Sequence, residues 1–201
     1  GTPLMKKSKT QSVFGTYVDK YKLSESEADG ATIPIFYSST KVNLTVDGGD
    51  SIDTVFNRIF KDKDDETKAK IRQQYANPTA IAESPDRIRK IARNIVDHYE
   101  KTIQPNGFKA IIVAPNRKSA IRYKEALDDM EAPESKIIMS DDAEDKKFGW
   151  EKYQLTPSDK ELYLEKFKKP MNEEPLSILI VAKMLLTGFD APILQVLYLD
   201  Q

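Results

Sequence analysis

The chain has 201 residues, 39% apolar and 31% charged, with a formal net charge of −1, which is typical of a soluble domain with one substantial core. This charge excludes a general attraction to nucleic acid, so any DNA contact must come from a local patch. The absence of cysteine excludes disulfides and thiolate chemistry and fits a reducing interior, while strand-sized apolar runs exclude a membrane span.

The first part of the chain predicts short elements separated by turn signals. β-Branched and aromatic residues predict strands over Tyr17–Tyr21 and Thr32–Tyr37, with Asp29-Gly30 as the stop between them. Apolar residues within 51–77 follow helical spacing, with a break over 62–67. We expect this helical section to be an insertion or a connector without chemistry of its own.

From Ser84 onward, predicted helices and strands alternate. Ser84 is expected to cap a helix that runs to about Thr102, with the single histidine, His98, in a structural position near its end. The elements that follow are a buried strand at 109–114, a helix from Asn116, a strand at 135–140, an acidic irregular loop at 141–150, a helix capped by Thr156, and apolar strands at 176–181 and 193–200. Such alternation predicts an α/β fold with a parallel sheet covered by helices.

The two final apolar runs predict strands buried on both faces, and a polar turn separates them. Parallel sheets bind ligands at the carboxyl ends of their strands. In this turn Gly188 would let a backbone N–H approach an oxyanion, and Asp190 could accept a hydrogen bond from a ribose hydroxyl or hold a cation. The alternative is an ordinary connection in which the glycine serves the turn and the aspartate caps it.

A second candidate site is the strand-to-helix turn that contains Asn116, Arg117, Lys118 and Ser119. Asn116 can cap the helix, whose first N–H groups and dipole favour anions, and the two cations add positive charge. A DNA phosphate would fit there. The alternative is a capped helix with two solvated cations.

Three segments resemble one family, in that family's order. Residues 184–192, Met-Leu-Leu-Thr-Gly-Phe-Asp-Ala-Pro, closely resemble motif V of superfamily 2 helicases in the form found in the R subunit of type I restriction enzymes. Residues 1–4 resemble the back half of motif III, and residues 14–37, which include Ala28-Asp29-Gly30, resemble the segment that follows it in the R subunits, where a short helix ends in Ala-x-Asp-Gly. The chain is therefore similar to an R-subunit fragment from motif III to just past motif V.

The resemblance implies a RecA-like (P-loop NTPase-like) second helicase lobe. Residues 1–46 would be the trailing edge of the first lobe and a connector, 47–83 a helical insertion or linker, and 84–201 the second lobe. Thr187, Gly188 and Asp190 would face ATP, with Asp190 near the ribose. The nucleic-acid contacts assigned under this reading are Thr2, Asn116, Arg117, Lys118, Ser119 and Lys183.

One position departs from the wider superfamily, where a Thr-Asp pair often stands at Ala182 and Lys183. Ala182 has no side-chain hydrogen-bonding group for a phosphate. Lys183 either replaces that contact by charge or points to water. The sequence also has no Gly-x-x-x-x-Gly-Lys-Ser/Thr string to cradle a triphosphate, so ATP and Mg would be bound mainly by a first lobe.

The function implied by the resemblance is ATP-driven translocation on double-stranded DNA, coupled to cleavage, in the full cytoplasmic enzyme. The fragment alone is expected to be inactive. Its partners would be double-stranded DNA, the methylation and specificity subunits, and the first RecA-like lobe, with no membrane. The alternatives are another superfamily 2 motor, such as a type III restriction subunit, or a non-enzymatic Rossmann-like module that binds nucleic acid or protein.

Overall fold

A computed structural model describes residues 21–32, 34–39, 52–69, 82–140, 143–182, 184–185 and 189–200. The chain divides into two compact units, Gly1–Lys41 and Val42–Gln201. In the first unit, helix α1 spans Leu23–Ala28, as the resemblance implied. Residues 34–39 carry no regular secondary structure, so the strand predicted over Thr32–Tyr37 is wrong for that part. The strand predicted at 17–21 lies outside the described residues, apart from Tyr21.

In the second unit, the first helix among the described residues is α2, Ile52–Ile59, and residues 65–69 are also helical. The Asp64 carboxylate caps the start of the helical residues 65–69, where it accepts a hydrogen bond from the Thr67 N–H at 2.8 Å. A break between two helices is thus confirmed, but it spans 60–64, so the predicted bounds of 62–67 are wrong for 65–67. The rest of the predicted helical section, 70–77, lies outside the described residues.

The remaining elements follow the predicted alternation. Helix α3, Pro85–His98, continues as a π-helical turn, Tyr99–Ile103, and a 3-10 turn, Gln104–Asn106. It ends at Gly107, whose φ of 78° lies in the left-handed region that glycine adopts readily. Then come β1 Lys109–Ala114, α4 Arg117–Asp129, β2 Ser135–Ile138, 3-10 turns Ala143–Phe148 and Glu151–Tyr153, α5 Pro157–Lys168, β3 Ile178–Ala182 and β4 Leu194–Leu199.

The four strands form one parallel sheet in the order β2-β3-β1-β4. The predicted α/β class is therefore confirmed. Successive side chains of β1 point to opposite faces, which places Ile112 against α3 and α4 and Ile111 against α5. Helices thus cover both faces of the central strands.

Strand β4 departs from the prediction of burial on both faces. It pairs with β1 alone among the described strands, and its residues alternate between half-buried and exposed. Val196 and Tyr198 pack on the α3 and α4 side, whereas Leu197 and Leu199 are 43% and 50% exposed on the other. An apolar run predicted a strand covered on both faces, but within the described part of the chain β4 lies at the edge of the sheet and one of its faces is open.

Candidate nucleotide and nucleic-acid site

Both predicted turns begin at the carboxyl edge of the sheet. Ala114 at the end of β1 pairs with Ala182 at the end of β3. Since the strands are parallel, the segments that follow them leave from the same edge. The first leads through Asn116 into α4, and the second begins at Lys183.

Asn116 caps α4 as predicted, because its Oδ1 accepts a hydrogen bond from the Ser119 N–H at 2.9 Å. Its Nδ2 donates to Glu83 Oε1 at 3.2 Å. The buried Ser119 hydroxyl donates to the Ala82 carbonyl at 3.3 Å. Asn116 and Ser119 thus both form hydrogen bonds within the protein, and their predicted contact with DNA stays a prediction.

Arg117 forms an ion pair with Asp145, with its Nη2 donating to both carboxylate oxygens. The Asp145 side chain is 2% exposed, and it also accepts from Gln154 Nε2 at 2.8 Å. Its backbone carbonyl accepts from the Trp150 N–H at 3.0 Å. Arg117 therefore holds this segment against the start of α4, and the part of the predicted irregular loop at 141–150 that the structure describes contains the 3-10 turn Ala143–Phe148.

Lys118 is paired as well, since its Nζ lies 2.8 Å from Glu83 Oε2. This pair is more open to solvent, with the Lys118 side chain 44% exposed and that of Glu83 18% exposed. Glu83 is shared between Lys118 and the cap residue Asn116. The two cations of the turn are therefore balanced by carboxylates distant in sequence, which the alternative with two solvated cations did not include, and their contact with a DNA phosphate stays a prediction.

A third charged group at this edge was missed by sequence reasoning. Asp200 follows β4, is buried, and accepts from Arg87 Nη1 at 2.9 Å and from the Tyr123 hydroxyl at 2.8 Å. Hydrogen bonding to Asp200 raises the pKa of Arg87, and burial raises the pKa of Tyr123 well above its usual range. The signal available in the sequence was a carboxylate directly after an apolar strand.

The described residues of the connection from β3 to β4 lie on the face that α5 covers. Met184, Leu185 and Phe189 pack against the core on that side, and the Ile193 carbonyl accepts from the Lys109 N–H at 2.9 Å, at the amino edge of the sheet. The exposed Asp190 is three residues before Ile193, and so within about 10 Å of it.

Asn116 is seven residues beyond Lys109, or about 20 Å along an extended strand, and so lies at the carboxyl edge. Thr2, Lys183, Thr187 and Gly188 lie outside the described residues, and their predicted roles stay predictions.

Two features are absent from the described ranges. No group of three or more His, Cys, Asp or Glu side chains there could hold a metal ion. In the same ranges, no helix has the length and apolar content needed to cross a membrane.

Comparison with protein families gives two matches. Residues 1–69 match the SWI2/SNF2 ATPase family, and residues 145–201 match domain 3 of the type I restriction enzyme subunit R. Together with the parallel sheet, the first match fits a RecA-like lobe, in agreement with the predicted fold class.

Individual relatives agree with the second match. A *Methanocaldococcus jannaschii* protein provisionally named type I restriction enzyme MjaIXP endonuclease subunit is 31% identical over 189 residues, which is 92% of this chain and 18% of that protein. The MjaVIIP subunit from the same organism, also provisionally named, is 32% identical over 237 residues, covering 100% of this chain and 22% of the relative.

A bacterial relative extends the comparison. The type I restriction enzyme HindI endonuclease subunit of *Haemophilus influenzae* is 29% identical over 212 residues, covering 100% of this chain and 19% of the relative. The chain thus spans about a fifth of the length of these relatives. It belongs, as a segment of that extent, to the family of type I restriction enzyme R (endonuclease) subunits.

Proposed function

We propose that this chain contributes the second motor lobe, with its connector, to an ATP-driven translocase of double-stranded DNA in a type I restriction enzyme. One observation carries the proposal beyond family membership. The pairing of Ala114 with Ala182 starts the β1–α4 turn and the β3–β4 connection at neighbouring positions on one edge. Ligands of parallel α/β sheets are met at that edge.

The β3–β4 connection offers a physical link between the two predicted contacts. It follows Ala182, which pairs with Ala114 before the turn where Lys118 would meet a DNA phosphate, and its residues Met184 and Phe189 pack on the core before Asp190. The exposed Asp190 carboxylate would accept a hydrogen bond from the ribose of ATP. A displacement at one end of a connection packed on the core would shift the other.

Movement along DNA then needs two states with different affinities. ATP held between the lobes would favour a closed arrangement, and hydrolysis would release it, so phosphate contacts on each lobe would alternate in strength. Mg would be held with ATP mainly by a first lobe, since this sequence contains no phosphate-loop string. The 201-residue chain alone would neither hydrolyse ATP nor cut DNA.

The wider setting of the proposal is that of a restriction complex in the cytoplasm. The R subunit would act there with methylation and specificity subunits, and the DNA target would be selected by the specificity subunit. Family membership supports this setting.

The test is Asp190→Ala in an R subunit that contains this segment. We expect DNA-dependent ATP turnover to fall by about tenfold, the effect of losing about 1.4 kcal/mol of binding in the productive state. Glu173→Ala, at another exposed carboxylate, should leave turnover unchanged. Because Asp190 is exposed, its replacement should not alter folding. Equal ATP turnover in the Asp190 variant and its parent would remove the nucleotide contact from the proposal.

A further inference from the structure

An exposed aromatic ring stands on the segment that follows β2. Phe148 is 58% exposed, and its ring stacks on that of Trp150, with centroids 4.7 Å apart and planes 25° apart. Gly149 between them has a φ of 68°, a left-handed conformation that glycine adopts without strain. That turn brings the two rings onto one another and leaves one face of Phe148 open.

Hydrogen bonds and core packing hold the Phe148–Trp150 stack in place. The Trp150 N–H donates to the Asp145 carbonyl at 3.0 Å, and Asp145 is itself held by Arg117. Trp150 packs against the core on the α4 side, and the Tyr153 N–H donates to its carbonyl at 2.9 Å. These contacts hold the segment that carries Phe148 in place, which lowers the entropy lost when a flat ligand binds to the open face of the ring.

The stack also lies near the carboxyl edge of the sheet. Phe148 and Asp145 belong to the same 3-10 helix, three residues apart, which is about 6 Å along its axis. The Asp145 carboxylate contacts Arg117 in the first turn of α4. Phe148 is thus beside the edge at which parallel α/β proteins meet nucleotides.

The surrounding charge decides which part of a ligand this surface suits. The described residues 143–153 contain three carboxylates and three lysines, and one of those carboxylates, Asp145, is paired with Arg117. One of the lysines, Lys152, lies over the ring of Tyr153, at 4.7 Å from its centroid. A surface without an excess of negative charge suits a neutral, flat ring, and stacking on an aromatic face is how proteins bind such rings.

We propose that the open face of Phe148 binds a nucleobase by stacking. The base would come from a nucleoside triphosphate or from an unpaired DNA strand, since bases within a duplex are already stacked on their neighbours. This goes beyond the proposed motor function and rests on the ring geometry alone.

Trp150 makes the test direct, because it is the single tryptophan of the chain and lies under Phe148. Its fluorescence would be followed while the 201-residue chain is titrated with adenosine, ATP or a short single-stranded oligodeoxyadenylate. Phe148→Leu keeps an apolar cover over Trp150 without an aromatic face, and Phe148→Tyr keeps the face. Leu162→Ala, at an apolar side chain of similar exposure on α5, is the matched control.

We expect a saturable change in Trp150 emission that Phe148→Tyr and Leu162→Ala retain, and a Kd about tenfold higher in Phe148→Leu. Tighter binding of ATP than of adenosine would identify the nucleotide as the source, and tighter binding of the oligonucleotide would identify the strand.

Identical titrations for parent and Phe148→Leu, or no change with any probe, would overturn the proposal. Self-association of the chain that Phe148→Leu abolishes, without a response to the probes, would make the ring a protein contact and would also overturn it. None of these measurements uses ATP turnover, so their outcome does not decide the proposed motor function.

Discussion

At the scale of single residues, Arg117 and Lys118 are adjacent cations with different surroundings. Arg117 is paired with a carboxylate that is almost fully removed from water, whereas the Lys118–Glu83 pair is partly solvated. Removing one member of a buried pair leaves the other charge desolvated, while exposed pairs contribute little to stability. The two residues should therefore respond differently to substitution.

We expect Arg117→Ala to lower the free energy of unfolding by about 3 kcal/mol or more, because Asp145 would remain buried without its cation. Lys118→Ala should lower it by less than about 1 kcal/mol. Urea unfolding of the two variants, followed by circular dichroism, measures both.

A second variant separates loss of the cation from loss of packing. Arg117→Met combined with Asp145→Leu removes both charges and should recover most of the stability lost in Arg117→Ala. Equal stabilities for Arg117→Ala and Lys118→Ala would show that the Asp145 pair does not hold this segment. It follows that Arg117→Ala is a poor probe of DNA contact, since loss of folding would weaken binding on its own.

At the scale of elements, helices α3 and α5 begin with similar sequences and different caps. Ser84-Pro85-Asp86 and Thr156-Pro157-Ser158 both predict a hydroxyl cap followed by proline. Thr156 Oγ1 does accept from the Asp159 N–H at 3.1 Å, and Asp159 completes a capping box. Ser84 makes no side-chain cap hydrogen bond, so that prediction is wrong.

The caps give a matched pair of substitutions. Thr156→Ala should lower the free energy of unfolding by about 1 kcal/mol, because an N–H in the first turn of α5 loses its acceptor. Ser84→Ala should change it by less than about 0.5 kcal/mol. Chemical denaturation of both variants is the measurement, and a larger loss in Ser84→Ala than in Thr156→Ala would contradict this assignment of the caps.

The strands show which features of the sheet can be predicted from local sequence. The apolar runs at 109–114 and 176–181 predicted buried strands, and β1 and β3 are the two central strands of the sheet. The run at 193–200 is also apolar, yet among the described strands β4 pairs with β1 alone and leaves Leu197 and Leu199 exposed. Side-chain pattern gives the period of a strand, but its rank in the sheet depends on crossovers that no local pattern contains.

The candidate site divides in the same way. The Asn116 cap was predictable, because its partner Ser119 is three residues away. Glu83 and Asp145 were not, because they meet the turn only through the fold, across 33 and 28 residues. The paired cations of Arg117 and Lys118 signalled a charged turn without showing which acids would balance it.

At the scale of the whole molecule, the carboxyl edge of the sheet collects charges from distant parts of the chain. The pairs Lys118–Glu83, Arg117–Asp145 and Arg87–Asp200 all lie there. A phosphate arriving at the turn must therefore compete with an internal carboxylate. Glu83 is the carboxylate in the most open of these pairs, so DNA binding at this edge would be an exchange in which Lys118 leaves Glu83 for a phosphate.

This exchange predicts opposite effects for the two members of the pair. In an R subunit that contains this segment, Lys118→Ala should weaken binding to non-specific duplex DNA and reduce the slope of log K against log salt by about 0.9, the contribution of one phosphate contact. Glu83→Gln should strengthen binding and leave the slope at least as steep, because it removes the competing charge while an amide oxygen can still accept from Asn116. Titrations of a labelled duplex over a range of salt concentrations measure both. If the two variants bind DNA with the affinity and slope of the parent, Lys118 serves only its ion pair, and the phosphate contact of this lobe must lie at residues other than this turn.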